Sequence, residues 1–430
     1  MDKEILQPPR GMRDIVGKEA ELHEYLRKKF QEVALLHGFK PIITPTVEFF
    51  KLFEEKSGEE IKKSMYVFKD KANRTIALRP EVTASVVRAY LRLLQSSPKP
   101  LYLYYIAQCF RYEEPQRGRY REFWQGGLEI FGDKSINADI AAAITASRYL
   151  EEIGVNHYYI VGNVALYRRI MDLFNISQET QDHILHLIDK EQIDNAMNEL
   201  GRINEKASEI IGELINTPLE NLEEFIGKYK NVLEKYTDQL LSEIEKTRKF
   251  INTMNKLGYK AIYKPTLVRG LAYYTGLIYE YKAEELTISI GGGGRYDGLT
   301  KIYGGPYEYS TGLALGIDRI ALILSHKLRK FKLTNKEAIV IILNIPLLIG
   351  YSIQKRLIDI GVSATVIKTN KIKKALSLAN KKNYDYAIII GEKEYTQSMI
   401  TIKNLLSGKQ YQVPMNMLEK TIVKDILGEE

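Results

Sequence analysis

Between Glu19 and Gly38 the chain reads EAELHEYLRKKFQEVALLHG, with apolar residues at helical spacing and a glycine at the end, which predicts a helix. FKPIITPTVEFFKLF follows, punctuated by Pro41 and Pro45 as an extended segment. A proline cannot donate to a ladder, so such a segment belongs at a sheet edge or at an interface with another subunit. MYVFKDKANRTIALRPEVTASVVRAYLRLL predicts two short strands around a turn at Lys71–Arg74, then a helix from near Pro80 with Glu81 and Thr83 in its first turn. The run LYLYYIAQCF reads as a strand and GGLEIFG as its return. Pro115 and Gly118 lie between them, which marks a long antiparallel loop rather than a two-residue hairpin.

DIAAAITASRYLEEIG then predicts a helix and HYYIVGN a strand. From about Tyr167 to Leu257 the period is helical and the chain is rich in Glu, Lys, Asn and Ile. This reads as a helical insertion, residues 166–257, in a main domain covering 1–165 and 258–326. LVRGLAYYTG, a strand, a turn and GGGGRYDGL resume that domain at hairpin spacing. Gly291 to Gly294 allow a backbone to pass close to a ligand or to another strand. The run has neither the Gly-Lys-Ser/Thr of a Walker loop nor the strand-to-helix setting of a dinucleotide fingerprint. STGLALGIDRIALIL reads as a strand that breaks at Gly316 into a helix. Arg319 falls near its start, where a helix N-terminus already favours anions. After a basic linker, 327–335, strands and helices alternate over 336–430, predicting a small α/β domain with a largely parallel sheet.

The length of 430 residues exceeds one ordinary core, and 45% hydrophobic with 27% charged residues is the balance of a soluble globular protein. No N-terminal apolar region and no run near the length of a membrane span occurs, so no membrane partner is expected. The single cysteine, Cys109, excludes an intrachain disulfide and a cysteine-rich metal site, and fits intracellular residence. The net charge of +8 permits an anionic partner. Residues 336–430 hold 14 basic and 9 acidic residues, which suits nucleic-acid phosphates or a plain solvated surface. Between Phe110 and Gly132, Arg111, Arg117, Arg119 and Arg121 stand beside Glu113, Glu114, Glu122 and Glu129. The guanidinium fork matches two phosphate oxygens and keeps its charge, although a solvated charged hairpin would look similar. Glu81 either complements a helix dipole or holds a substrate ammonium group; its position alone does not decide.

With these pieces in order, the chain resembles the class II aminoacyl-tRNA synthetases, and within them the histidyl-tRNA synthetase family. The Pro45 segment, FRYEEPQRGRYREFWQ and GLALGIDRI are similar to the three motifs of the class, the first of which builds a dimer interface. LVRGLAYYTG and GGGGRYDGL are similar to the segments particular to the histidine enzymes. The similarity runs from Pro9-Arg10-Gly11 to the C-terminal domain, apart from the helical insertion. It implies an α+β catalytic domain, an antiparallel sheet flanked by helices, followed by an α/β anticodon-binding domain. It further implies activation of histidine with ATP and magnesium to histidyl-adenylate, transfer to the 3′ end of the cognate tRNA, a homodimer and a cytoplasmic location.

By the same resemblance, Arg111 binds the α-phosphate, and Arg269 lies between it and the substrate carboxylate. Arg119 and Arg319 reach the outer phosphates. Phe123 stacks on adenine with the Arg319 guanidinium on the other face. Glu113 contacts adenine or a magnesium ion, which commonly needs few carboxylates beside phosphate oxygens. Glu81, Thr83 and Gln125 match residues that hold the α-ammonium group. Glu129 and Tyr274 match those at the two ends of the imidazole, with Tyr273 beside them in the histidine-binding set. Gln116 and Arg117 face the acceptor end of the tRNA. Ala272 departs from the aspartate usual in RGLxYYTG, and Trp124 and Gly126-Gly127 differ from commoner versions of their loop. A competing family is the synthetase-like regulatory subunit of ATP phosphoribosyltransferase, which usually lacks the C-terminal domain and has degenerate arginines. The presence of Arg111, Arg119, Arg269, Arg319 and a basic terminal domain argues against it.

Overall fold

The apolar runs of the first three-quarters of the chain become strands β1 (Lys40–Pro41), β2 (Val47–Phe49), β3 (Val67–Lys69), β4 (Thr75–Leu78), β5 (Leu101–Phe110), β6 (Glu122–Phe131), β7 (Tyr158–Asn163), β8 (Ala261–Tyr263), β9 (Leu277–Ala283), β10 (Leu286–Arg295) and β11 (Ser310–Gly316). The computed structural model describes residues 3–54, 64–268, 273–326 and 336–427. Eight strands form one sheet in the order β1-β5-β6-β11-β10-β9-β7-β8, and β2, β4 and β3 form a small second sheet. From β5 across to β7 every pair is antiparallel, whereas the edge pairs β1–β5 and β7–β8 are parallel. Parallel neighbours need a long crossover. For β7 and β8 the crossover is the whole helical stretch from Val164–Leu173 to Thr237–Lys256.

The β5–β6 register runs from Leu101 opposite Phe131 to Phe110 opposite Glu122. The return strand therefore starts four residues before GGLEIFG, because residues 122–125 also complete ladder pairs with β5. The loop that remains closes at its tip through two backbone hydrogen bonds between Gln116 and Arg119, 3.2 and 2.8 Å, with Gly118 at φ +78°. A second difference concerns the helix expected from Pro80, which starts at Thr83. Arg79 O accepts the Phe110 N–H and Pro80 O accepts Arg111 Nε, both at 2.9 Å. These bonds draw residues 79–80 out along the motif strand, and Glu81 precedes the helix.

Helices Gly17–Leu36, Ile136–Glu152 and Ile317–Leu324 cover one face of the large sheet, as where Phe30 meets Tyr149 edge-on at 5.2 Å. On the other face, helix Thr83–Ala89 and the helices between residues 164 and 244 share one apolar core with β5 and β9. Under the sheet lies a buried ion pair between Arg295 and Asp139. Arg295 also donates to Asp133 O (2.6 Å) and Ser135 O (2.9 Å), and Thr311 Oγ1 donates to Asp139 (2.6 Å).

The chain divides into two compact units, Met1–Phe331 and Lys332–Glu430. In the second, β12 (Lys336–Leu343), β13 (Val362–Lys368), β14 (Tyr386–Gly391), β15 (Met399–Asn404) and β16 (Gln410–Pro414) are ordered β13-β12-β14-β15-β16. Only β13–β12 and β12–β14 are parallel; β14–β15 and β15–β16 are antiparallel, so the sheet is mixed rather than largely parallel. The five-residue helix Glu392–Thr396 is too short for a crossover, and the Asn404 side chain accepts Leu406 and Ser407 N–H at 3.0 Å to reverse the chain. No described helix in either unit is long and apolar enough to cross a membrane.

Replacing Arg295 by Met strands Asp139 and Asp297 without their cation. We expect a loss of about 3–5 kcal/mol of unfolding free energy, read as a lowered urea midpoint. The double variant Arg295→Met/Asp139→Leu should recover much of it.

Candidate active site

The alternation of β5 sends Leu103, Tyr105, Ala107 and Cys109 to one core and Tyr104 to the other. On the Tyr105 side opens a cavity of about 620 Å³, floored by residues of β5, β6, β10 and β11. The glycine run makes this floor possible. A Cβ at Gly293 would lie 2.1 Å from Gly312 O, and one at Gly312 would lie 1.9 Å from Glu129 Oε2. Gly291 and Gly292 also line the cavity, so the run serves both strand approach and open space.

One set of wall residues is cationic. Arg111 donates Nε to Pro80 O, its guanidinium stands 5.4 Å from the centroid of the Phe123 ring, and Glu113 Oε1 lies 4.0 Å from Nη1. Arg319 donates to Gly118 O (3.1 Å) and Ser289 O (2.6 Å), tying the start of helix Ile317–Leu324 to the tip of the β5–β6 loop. Its neighbour Asp318 accepts the Trp124 N–H (2.7 Å) and Arg13 Nη2 (3.0 Å). Backbone carbonyls thus hold both guanidinium groups before any ligand arrives, which lowers the entropy lost on binding an anion. Gln116 and Arg119 line the cavity and are exposed, and Glu114 pairs with Arg10 at 2.8 Å. Arg117 is exposed and is not among the lining residues.

A second set is polar and aromatic: Glu81, Thr83, Gln125, Tyr273 and Tyr274, with Tyr105 and Tyr296. Glu81 Oε1 accepts the Ala84 N–H at 3.0 Å, whereas its buried Oε2 has no hydrogen-bond partner among the described residues. Burial pushes the Glu81 carboxyl up from its ordinary value, against the backbone N–H groups of Ala84 and Thr83. The buried Tyr105 hydroxyl likewise has no partner among the described residues. Gln125 Oε1 accepts Cys109 Sγ at 3.2 Å. Glu129 does not line the cavity; it is fully buried beneath it and accepts Thr83 Oγ1 (2.7 Å) and Tyr296 OH (2.5 Å). Among the described residues no group of three or more His, Cys, Asp or Glu is placed to hold a metal ion.

The family model described as histidyl-tRNA synthetase matches residues 11–320, and one described as an anticodon-binding domain matches residues 337–425. The chain belongs to the histidyl-tRNA synthetase family. It is 37% identical over 428 residues to a protein of Sulfolobus acidocaldarius named histidine–tRNA ligase, covering 98% of this chain and 99% of that one. A Saccharolobus solfataricus protein of the same name is 39% identical over 421 residues, covering 95% and 97%. Among solved structures, a histidyl-tRNA synthetase from Nostoc sp. shares the fold with a TM-score of 0.76 at 21% identity, covering 97% of this chain and 99% of that one. A Bacillus halodurans protein titled as an ATP phosphoribosyltransferase regulatory subunit/histidyl-tRNA synthetase shares it at 0.72 and 19%, covering 90% and 98%. The fold alone therefore does not separate synthetase from regulatory subunit. The full-length ligase relatives and the match at 337–425 do, in favour of the synthetase.

Of the residues that the synthetase motifs single out, Glu81, Thr83, Arg111, Glu113, Gln116, Arg119, Phe123, Gln125, Tyr273, Tyr274 and Arg319 all line the one cavity. Arg269 and Ala272 lie outside the described residues. Tyr105 and Tyr296 escaped the sequence reading, although the alternation of LYLYYIAQCF and the position within GGGGRYDGL could have raised them. Asp189 and Lys190, at the end of insertion helix Gln178–Asp189, also reach the wall, where the sequence offered no chemistry. Two departures from the usual loop are absorbed by helix Gly17–Leu36: Arg27 stacks 4.1 Å over Trp124, and Phe30 sits where a Cβ at Gly126 would be 3.1 Å away.

Burial pushes the Glu129 carboxyl up to about 8, with the Tyr296 and Thr83 hydroxyls working the other way. An unfolded glutamate titrates near about 4.3, so between those values the folded chain holds the extra proton. The associated stability is complete below the unfolded value and is lost as pH rises through the folded one. Glu129→Gln is free of that loss. Its urea midpoint relative to the parent should therefore climb between about pH 5 and about pH 8.5; a constant difference would refute the assignment.

Proposed function

We propose that this chain activates histidine with ATP and transfers it to the 3′ end of the cognate tRNA. The single observation that carries the reading is the meeting of two residue sets in one cavity. Arg111 and Arg319, held by backbone carbonyls, share it with the buried Glu81 oxygen that has no partner among the described residues and with the tyrosines of the histidine segment. In the first step a carboxylate oxygen of histidine attacks the α-phosphorus of ATP. A new O–P bond forms, and the bond to the bridging oxygen breaks as pyrophosphate leaves with its electron pair. No protein nucleophile is required, because positioning and neutralisation of developing charge supply the acceleration. Arg111 suits the α-phosphate, Arg119 and Arg319 the outer phosphates, Phe123 the adenine face, and Arg269 the bridge between carboxylate and α-phosphate. In the second step a ribose hydroxyl of the terminal adenosine takes the acyl group and AMP leaves.

Glu81, Thr83 and Gln125 suit the α-ammonium group and Tyr274 the imidazole, while Glu129, buried beneath the cavity, acts through the Thr83 and Tyr296 hydroxyls whose hydrogen bonds it accepts. A site whose buried polar groups are paired only by the right substrate rejects analogues that leave them unpaired. ATP arrives as its magnesium complex, and Glu113, half-buried on the wall, fits the single carboxylate that such a complex needs. Gln116 and Arg117, exposed near the loop tip, suit the acceptor end of the tRNA, and the basic unit 336–430 its anticodon. The reading includes a homodimer in the cytoplasm. Exposed Ile43, Phe49 and Phe68, in the Pro41–Pro45 segment and on β2 and β3, provide apolar surface for a second copy.

With the cognate tRNA, ATP and labelled histidine, the full chain should attach histidine to the RNA. Arg111→Ala should fold normally and charge at least about 100-fold more slowly, the scale of losing one group that stabilises transition-state charge. Charging at the parental rate by that variant would refute the role given to Arg111.

A further inference from the structure

The segment that carries Tyr273 and Tyr274 is gripped by the helical insertion. Tyr167, fully buried on helix Val164–Leu173, donates its hydroxyl to Pro265 O at 2.9 Å. Three residues earlier on the same helix, the Val164 N–H donates to Gly276 O at 3.0 Å. One helical turn thereby holds the two described flanks of the segment, 265–268 and 273–276. The residue that caps this turn, Asn163, is 1% exposed. Its Oδ1 accepts the Ala165 N–H at 3.0 Å, while Nδ2 donates to Glu243 Oε2 and Thr247 Oγ1, each at 3.0 Å, on the last insertion helix Thr237–Lys256. A Cβ added at Gly276 would sit 3.5 Å from the same Glu243 carboxylate.

Apolar packing runs the same way. Leu267, Val268, Tyr273 and Tyr274 belong to the core that insertion residues such as Ile170 and Ile184 share with β5 and helix Thr83–Ala89. The phosphate-side arginines are held differently, since Arg111 and Arg319 bond to Pro80, Gly118 and Ser289 carbonyls of the main sheet and its loop.

We propose that the helical insertion positions the amino-acid-recognition segment, with Tyr167 on its first helix and Asn163, the last residue of β7 bonded to its last helix, as the positioning residues. Order within the insertion then sets the affinity for the amino acid while leaving that for ATP alone. The proposal rests on the histidine-activating reading above.

Tyr167→Phe in the full chain keeps the ring and its volume and removes only the donor to Pro265 O. In histidine-dependent pyrophosphate exchange, KM for histidine should rise about two- to tenfold, the worth of one net hydrogen bond, with KM for ATP nearly unchanged. Asn163→Asp, which keeps the cap oxygen but faces Glu243 with a like charge, should act in the same direction and more strongly. Amide hydrogen exchange on the ligand-free variants should quicken over residues 259–268 and stay parental over 111–121. Equal changes in both KM values, or a lowered unfolding temperature with KM for histidine and local exchange unchanged, would overturn the proposal and leave the bonds a purely structural role. If the parent chain showed no histidine-dependent exchange, the functional reading would fall instead, and the hydrogen-exchange contrast would still decide whether the insertion holds the segment.

Discussion

A carboxyl group without access to water, Glu129, joins three parts of the chain that are distant in sequence. It lies on β6 directly opposite Gly312 of β11, and the missing side chain at Gly312 is the space it occupies. Thr83 at the start of a helix and Tyr296 just after β10 both donate to it. Burying such a group is costly unless its lone pairs are met, and the two hydroxyls meet them. The brace thus fixes Thr83 and Tyr296, two of the residues that line the cavity.

From that brace the two halves of the chemistry are held by different means. The guanidinium groups of Arg111 and Arg319 lean on backbone carbonyls within the sheet and its loop. The aromatic residues of the histidine segment lean on a helical stretch that enters between β7 and β8 and makes those two strands parallel neighbours. If the arginine side of the cavity takes the nucleotide and the tyrosine side the amino acid, as proposed, the sheet and the helical insertion can tune the two separately. That division is a physical reason for the insertion to sit where it does.

Much of this was legible in the sequence, and the limits are instructive. The alternation of LYLYYIAQCF, the Pro115–Gly118 loop and the break at Gly316 each reflect a local rule, and strands and helix appear where those rules place them. Eleven of the motif residues line one cavity, whereas Arg117 and Glu129 do not and Arg269 lies outside the described residues; they were found through the family resemblance, which carries three-dimensional information that spacing lacks. The helix start near Pro80 failed because bonds from the Phe110 N–H and the Arg111 side chain, some thirty residues on, overrode local preference. The mixed sheet of the second unit turned on an Asn404 side chain and a helix too short to cross over. The bond from Tyr167 to Pro265 spans 98 residues and leaves no periodic trace at either end.

The amino acid that drives the first step decides what the site is for. Pyrophosphate exchange into ATP, measured with the full chain, magnesium and each of the twenty amino acids in turn, tests the histidine reading most directly. Exchange that depends on histidine and is negligible with the other nineteen is the predicted result. No exchange from correctly folded protein, or exchange driven by a different amino acid, would contradict it.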